Sequence, residues 1–251
     1  MDSTQKFRGL ANEYTVGRPM YANAFIETLY AQYGFSEQTV IADIGSGTGK
    51  FAKQLLNKGS FVYCVEPNGD MRNIAIKELG KYKGFSAVDG TASETKLDEK
   101  SVDFITVAQA FHWFDVAYFK KECKRILRDN GMVLLIWNIR DMSSEMNQDS
   151  FAIYSKYCHN FKGFGGGVQK DDIRIKQFFE DKYEYVEFCN PLFYDKNKFI
   201  SRSLSGSYSL RKGDENYSEY LDELYGLFEK YAKDNVITMV NKTVAYIGKI
   251  N

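Results

Sequence analysis

The sequence predicts an α/β fold built on a doubly wound, mostly parallel sheet, and three observations carry that expectation. Short apolar runs alternate with helical patterns over residues 39–138, a three-glycine bend joins the first run to its helix, and an acid closes the second run. A chain of 251 residues suits one such domain, alone or with a small lid.

Before the first run, Ala22, Phe25, Ile26, Leu29 and Tyr33 repeat at helical spacing and predict a helix packed on the sheet. Met1 to Arg18 has weaker periodicity and is expected to be mobile. The runs TVIADI, FVYCVE, GFSAV, VDFITVAQ and GMVLLIW read as successive strands of a parallel sheet. Between the last two, Val116, Phe119, Cys123 and Ile126 share one helix face, with Lys120, Lys121 and Lys124 opposite. Residues 140–170 are polar and end in Gly163-Phe164-Gly165-Gly166-Gly167, which predicts a long loop or partly helical insertion of the kind that serves as a lid. A strand is expected over 183–194, an amphipathic helix over Tyr217 to Tyr231, and a terminal strand over Val236 to Ile250.

Composition narrows the function. Lysine plus arginine equals aspartate plus glutamate at 33 each, so the chain has no net basic field of the kind non-specific nucleic-acid binding requires. No nucleic-acid partner is expected, and a small-molecule substrate is the default. No apolar run approaches the roughly 20 residues that span a bilayer, and Met1 to Gly9 lacks the apolar core of a signal peptide. The expectation is a cytoplasmic protein without a membrane partner. Cys64, Cys123, Cys158 and Cys189 are scattered, and only His112 and His159 offer imidazoles, so neither a metal site nor a disulfide is expected. Oligomeric state has no sequence signal.

The most informative segment is Asp43-Ile44-Gly45-Ser46-Gly47-Thr48-Gly49-Lys50-Phe51. Glycines let a chain turn tightly and let a ligand touch backbone. A nucleotide-triphosphate loop of the Walker type would need glycine at position 44 and serine or threonine after Lys50, where Ile44 and Phe51 stand. A dinucleotide fingerprint would place its third glycine at position 50, where this chain has lysine. Asp43 precedes the first glycine by two residues and can organise the loop or meet a ligand ammonium, a group that nicotinamide dinucleotides lack. Glu66 lies 21 residues after Gly45, where Rossmann-like proteins place an acid on ribose hydroxyls.

These residues resemble the first motif of the class I S-adenosylmethionine-dependent methyltransferases, an acid, one spacer, then G-x-G-x-G. The resemblance implies a mostly parallel seven-stranded sheet with helices on both faces and S-adenosylmethionine as cofactor, left as S-adenosylhomocysteine. It implies a cofactor seat made by Asp43, Gly45, Ser46, Gly47, Gly49, Glu66, Pro67 and Met71, with Asp89, Thr91 and Ala92 on the adenine side and Gln109 and Ala110 below. Within that class, Gln109-Ala110-Phe111-His112-Trp113-Phe114 together with Tyr14, Arg18, Pro19 and Tyr21 is similar to the trans-aconitate methyltransferase-like group. The similarity implies that residues 1–34 cover the cofactor site through Tyr14, Arg18 and Tyr21, that 35–138 form the cofactor-binding core, and that 139–251 complete the sheet and the substrate side. It also implies methyl transfer by in-line displacement to a small molecule, with a carboxylate as one acceptor.

On that reading, Tyr21, His112, Trp113, Arg140, Arg202 and Tyr208 are candidate substrate residues, and Arg18, Arg140, Arg202 and Arg211 are the candidates for a carboxylate clamp. His112 has two readings, a general base or a polar brace of its loop. Trp113 and Phe111 read as walls that exclude water. A macromolecule methyltransferase, a non-catalytic S-adenosylmethionine-binding protein and a nicotinamide-dependent oxidoreductase stay open as alternatives.

Overall fold

The computed structural model describes residues 19–164, 172–206 and 208–250. The expectations for Met1 to Arg18, Tyr14 and Arg18 among them, lie outside these residues. Helix α1 (Asn23–Gln32) is followed by β1 (Val40–Ile44), α2 (Lys50–Leu56), β2 (Phe61–Val65), α3 (Gly69–Leu79), β3 (Phe85–Val88), β4 (Val102–Ala108), α4 (Val116–Ile126) and β5 (Leu127–Arg140). The chain continues through α5 (Glu145–Tyr157), α6 (Ile173–Phe179), β6 (Glu184–Cys189), β7 (Leu192–Tyr194), α7 (Lys196–Leu204), α8 (Tyr217–Tyr231), β8 (Ile237–Met239) and β9 (Asn241–Gly248).

Seven strands form one sheet in the order β3-β2-β1-β4-β5-β9-β6. The first five run parallel, while β9 is antiparallel to both β5 and β6. Side-chain alternation divides the core into two layers. Along β5, Val133, Leu135 and Trp137 meet Phe119, Cys123 and Ile126 of α4 and Phe178 of α6. Leu134 and Ile136 point the other way, toward Phe25 and Leu29 of α1 and Phe51 and Leu55 of α2. Burial of this apolar surface on both faces holds the sheet. Successive connections run outward in opposite directions from β1 and β4, so the chain reverses between these two strands, where open α/β sheets bind ligands.

A third cluster stands apart from the sheet and joins α5, α7 and α8 through Met146, Tyr154, Phe199, Tyr220, Leu224 and Phe228. The expected insertion after Arg140 is therefore helical over Glu145–Tyr157, because Met146, Ile153 and Tyr154 share a face that packs on α8. The single strands expected over 183–194 and 236–250 are each two. Residues Asn190 and Pro191 separate β6 in the main sheet from β7, which pairs with β8 as a two-stranded ribbon. Val240 separates β8 from β9. Both breaks are places where the chain passes between the sheet and the third cluster. Among the described residues, no helix is long and apolar enough to cross a membrane.

Candidate functional site

Gly45, Gly47 and Gly49 all have φ in the left-handed region, at 69°, 57° and 77°, so side chains would strain the bend at each position. Their surroundings differ. A Cβ on Gly45 would stand 2.7 Å from the Ala110 Cβ and 3.2 Å from the Phe114 ring, so the bare backbone lets the loop after β1 touch the segment after β4. A Cβ on Gly49 would collide with Leu79, which lets α2 start against α3. The amides of Gly45 and Ser46 donate to the Val65 carbonyl at 2.9 and 3.2 Å, tying the bend to β2.

The Gly47 amide donates to Glu66 Oε2 at 2.9 Å, and the Asn68 amide to Oε1 at 2.8 Å. Both carboxylate oxygens are thereby fixed by backbone, and each keeps lone-pair capacity for one more donor. Glu66 is buried, which pushes its carboxyl up; the Asn68 and Gly47 amides and the Arg72 guanidinium pull down but leave it raised. Asp43, one strand over, is fully buried, and its Oδ1 accepts the Thr106 hydroxyl at 2.8 Å. Burial pushes its carboxyl up to about 7, the Thr106 hydroxyl opposes, the Glu66 carboxylate adds to the rise, and the Ala52 amide weakly opposes. Asp43 Oδ2 closes no hydrogen bond within the protein. The two carboxylates thus share one end of neighbouring strands and feel each other's charge.

The neighbouring ends complete the rim. Asn68 caps α3 by accepting the Met71 amide at 3.1 Å, which sets the Met71 sulfur where a Cβ on Gly47 would lie 3.7 Å away. Arg72 donates to the Glu66 carbonyl at 2.7 Å and pairs with Asp89 at 3.2 Å. Thr91 and Glu94 exchange backbone hydrogen bonds in a turn. The turn is pinned at Thr95, whose amide and hydroxyl donate to Glu122 Oε1 at 2.8 and 2.5 Å. Ala92 packs on the first core layer. After β4, Gln109 holds a φ of 60°, a left-handed conformation that costs a non-glycine residue energy and often marks a working site. Its amide donates to the Ile136 carbonyl and its side-chain amide to the Asn138 carbonyl at 3.0 Å.

Asp43, the three glycines, Ser46, Glu66, Pro67, Met71, Asp89, Thr91, Ala92, Gln109 and Ala110 therefore gather at the carboxyl ends of β3, β2, β1 and β4. His112 sits in a 3-10 turn, Phe111–Trp113, its ring centroid 4.7 Å from that of Trp113, which is 45% exposed. Phe111 is core, edge-on to Trp137 and Phe178. Tyr21 lies in the second core layer, edge-on to Phe51 at 5.0 Å.

Arg140, Arg202 and Tyr208 meet in the third cluster. The Arg140 guanidinium lies 3.9 Å from the centroid of Phe164 and 5.7 Å from that of Tyr154, and it donates to Ser150 Oγ at 2.7 Å. Burial pushes the Tyr208 phenol up to about 12, Tyr154 adds, and the Arg140 and Arg202 guanidiniums pull down, so both cations reach this hydroxyl electrostatically. Arg202 Nε is buried and closes no hydrogen bond, and among the described residues neither arginine has a carboxylate partner.

Several residues here were not legible as site residues. Asn68 carries a cap signature, the side-chain acceptor three positions before Met71. Thr106, Asn138 and Asn190 carry none, because their partners are remote in sequence, and Glu122 shows only its local pairing with Arg125, not its hold on Thr95.

Comparisons with known proteins bear on the same segment. Residues 42–135 match the methyltransferase domain family. An uncharacterized methyltransferase of Mycobacterium tuberculosis is 36% identical over 140 residues, 56% of this chain and 55% of the relative. The chain thus spans about half the length of the mycobacterial relatives it matches. An uncharacterized methyltransferase-like protein of Schizosaccharomyces pombe is 24% identical over 236 residues, 93% of this chain and 91% of the relative. Among solved structures, a protein of Anaeromyxobacter dehalogenans with a provisional type II methyltransferase name aligns over 92% of this chain and 97% of its own, with a TM-score of 0.66 and 17% identity. The fold is the Rossmann-like methyltransferase fold.

Proposed function

We propose that this chain, whose residues 42–135 match a methyltransferase domain on a Rossmann-like methyltransferase fold, is an S-adenosylmethionine-dependent methyltransferase acting on a small molecule. One observation supports this reading above others: the Gly47 amide on Glu66, with the buried, incompletely bonded Asp43 carboxylate beside it. An orphaned buried carboxylate oxygen is costly, and the ammonium of an amino-acid-bearing cofactor is the partner that offsets the cost. Glu66, fixed by two amides, suits a pair of ribose hydroxyls. Ser46, Gly49, Pro67 and Met71 would border the same ligand, Asp89, Thr91 and Ala92 its base, and Gln109 and Ala110 its floor. Pro67 and Met71 stand at the start of α3.

When bound, the cofactor supplies an electrophilic methyl on a sulfonium. The protein's share is orientation and water exclusion, since alignment of two reacting groups is worth roughly 7–11 kcal/mol. Glu66 and the glycine bend fix one side, and the Phe114 ring borders the floor beside Gly45. For the acceptor side we propose a carboxylate, in keeping with the similarity to the trans-aconitate methyltransferase-like group. Arg140 and Arg202 supply the charge and Tyr208 the hydroxyl, in surroundings where aromatic rings exclude water. A carboxylate acceptor is ionised at neutral pH and needs no base, which would leave His112 a positioning task. We further propose the division into 1–34 over the cofactor, 35–138 as its seat and 139–251 on the acceptor side.

Isothermal calorimetry tests the cofactor reading: S-adenosylhomocysteine should bind and nicotinamide dinucleotides should not. Binding of the dinucleotide alone would overturn it. A screen of small carboxylic acids with methyl-labelled cofactor tests the acceptor reading, and labelling of RNA or protein with no small acid labelled would replace it.

A further inference from the structure

Residues 19–22 lead into α1 without regular secondary structure; the Ala22 carbonyl accepts the Ile26 amide of α1, and side chains take up the Met20 and Tyr21 carbonyls and the Tyr21 and Ala22 amides. The Met20 carbonyl accepts from Asn138 Nδ2 at 3.2 Å and from Asn190 Nδ2 at 2.9 Å. The Pro19 carbonyl lies 3.5 Å from the same Asn138 nitrogen. Gln54 of α2 takes both groups of Tyr21, accepting its amide at 3.0 Å and donating to its carbonyl at 2.9 Å. The Ala22 amide donates to Thr243 Oγ1 at 2.8 Å.

Asn138 is the centre of this clamp. Its Oδ1 accepts from Thr243 Oγ1 at 2.6 Å and from Asn190 Nδ2 at 3.0 Å, while its Nδ2 faces the Met20 and Pro19 carbonyls, so all four hydrogen-bonding positions of the side chain are used. The reverse orientation of the amide would set its oxygen against two carbonyls, which fixes the direction of every bond in the set. Its backbone carbonyl accepts the side chain of Gln109, the strained residue on the floor of the proposed cofactor seat. Asn190 stands where the chain leaves β6 for the ribbon of the third cluster, and Gln54 is on the helix that follows the glycine bend. One residue therefore touches the proposed cofactor floor through its backbone carbonyl, and residues 19–22 and the Asn190 crossing from β6 to the ribbon through its carboxamide.

We propose that Asn138 is a positioning residue that couples occupancy of the cofactor seat to the order of residues 19–22 and of the Asn190 crossing. A closed set of directional hydrogen bonds has two natural states, made and unmade, and a ligand that favours the made state at Gln109 stabilises the whole set by linkage. The binding half of this inference rests on the cofactor reading above; the clamp half does not.

The test combines calorimetry with amide hydrogen exchange on Asn138→Asp, Thr243→Val and Thr243→Ser. In the wild-type protein, S-adenosylhomocysteine should slow exchange of the Tyr21 and Ala22 amides. Asn138→Asp keeps the size but turns two donors into acceptors facing carbonyls. It should speed exchange at Ala22 about tenfold, weaken S-adenosylhomocysteine binding about tenfold, and abolish the ligand-dependent slowing. Thr243→Val should do the same and Thr243→Ser should restore wild-type behaviour, a rescue that general loosening of the core would not give. If Asn138→Asp does not fold, the Thr243 pair decides. Wild-type affinity and ligand-dependent slowing in a folded Asn138→Asp or Thr243→Val protein overturns the proposal. Should wild-type protein not bind S-adenosylhomocysteine at all, the cofactor reading fails, and unchanged Ala22 exchange in the variants would then separately remove the clamp.

Discussion

Asp43→Asn should make the ligand-free protein more stable at pH 8 while removing its affinity for S-adenosylhomocysteine. Burial raises the Asp43 carboxyl from near 3.8 to about 7. At 1.36 kcal/mol for each tenfold change in proton affinity, holding the ionised group in place above pH 7 costs the folded state up to about 4 kcal/mol. Because the folded-state value is raised, the favourable contribution is full below the unfolded value near 3.8 and is lost as pH climbs through about 7. Asparagine keeps an oxygen to accept the Thr106 hydroxyl and carries no charge, but its amide nitrogen needs an acceptor, a demand that returns about 1–3 kcal/mol. The net gain is about 1–3 kcal/mol at pH 8, whereas near pH 4, where the ionisation cost has almost gone and the amide's demand remains, the variant should be less stable than wild type by about 1–2 kcal/mol. Urea unfolding of both proteins at pH 4 and pH 8 measures the difference, and calorimetry measures the loss of binding. A variant less stable than wild type at pH 8, or a difference that does not change with pH, would refute the reasoning.

Glu66→Gln should weaken S-adenosylhomocysteine binding by about 1.5–3 kcal/mol, more than tenfold, because the charged acceptor of the Gly47 amide and of the ribose is lost; equal affinity by calorimetry would remove the ribose assignment. Gly49→Ala places a Cβ against Leu79 at a φ of 77° and should destabilise by about 2–4 kcal/mol, whereas Gly34→Ala, at a φ of 80° with no heavy atom within 4 Å, should cost only about 1 kcal/mol in denaturant melts. Glu122→Ala orphans the Thr95 amide and removes the Arg125 pair; with Arg125 39% exposed, a cost of about 2 kcal/mol is expected rather than the fully buried figure. Burial pushes the Glu122 carboxyl up, but Arg125 and Thr95 outweigh it and hold it at about 2, so the stabilisation is full above the ordinary value near 4.5 and fades as pH falls toward 2. A Glu122→Ala penalty that persists undiminished at pH 2 would contradict this.

What the sequence made legible follows from how local each signal is. The sheet rhythm, the helix over Tyr217 to Tyr231 and the bend from Asp43 to Gly49 are written in consecutive residues, since burial on two faces and left-handed φ values each select residue types locally. The spacing from Gly45 to Glu66 is nearly as local, because one helix separates two parallel strands that end side by side. The break at Val240 was hidden because apolar residues run through it, whereas Asn190-Pro191 carries a turn dipeptide; at both places the third cluster decides which strand pairs where. The meeting of Arg140, Arg202 and Tyr208 depends on a fold that joins β5 to a helix some sixty residues later, which no spacing reveals. Asn138 reads as an ordinary polar residue at a strand end until Met20, Asn190 and Thr243 are placed around it.

A crystal structure of the protein grown with S-adenosylhomocysteine tests the central claim most directly. Both ribose hydroxyls should lie within hydrogen-bonding distance of Glu66, with the amino-acid end of the ligand at the Asp43 side of the glycine bend. Ligand density elsewhere on the molecule, with Glu66 still bound only to the Gly47 and Asn68 amides, would contradict the account.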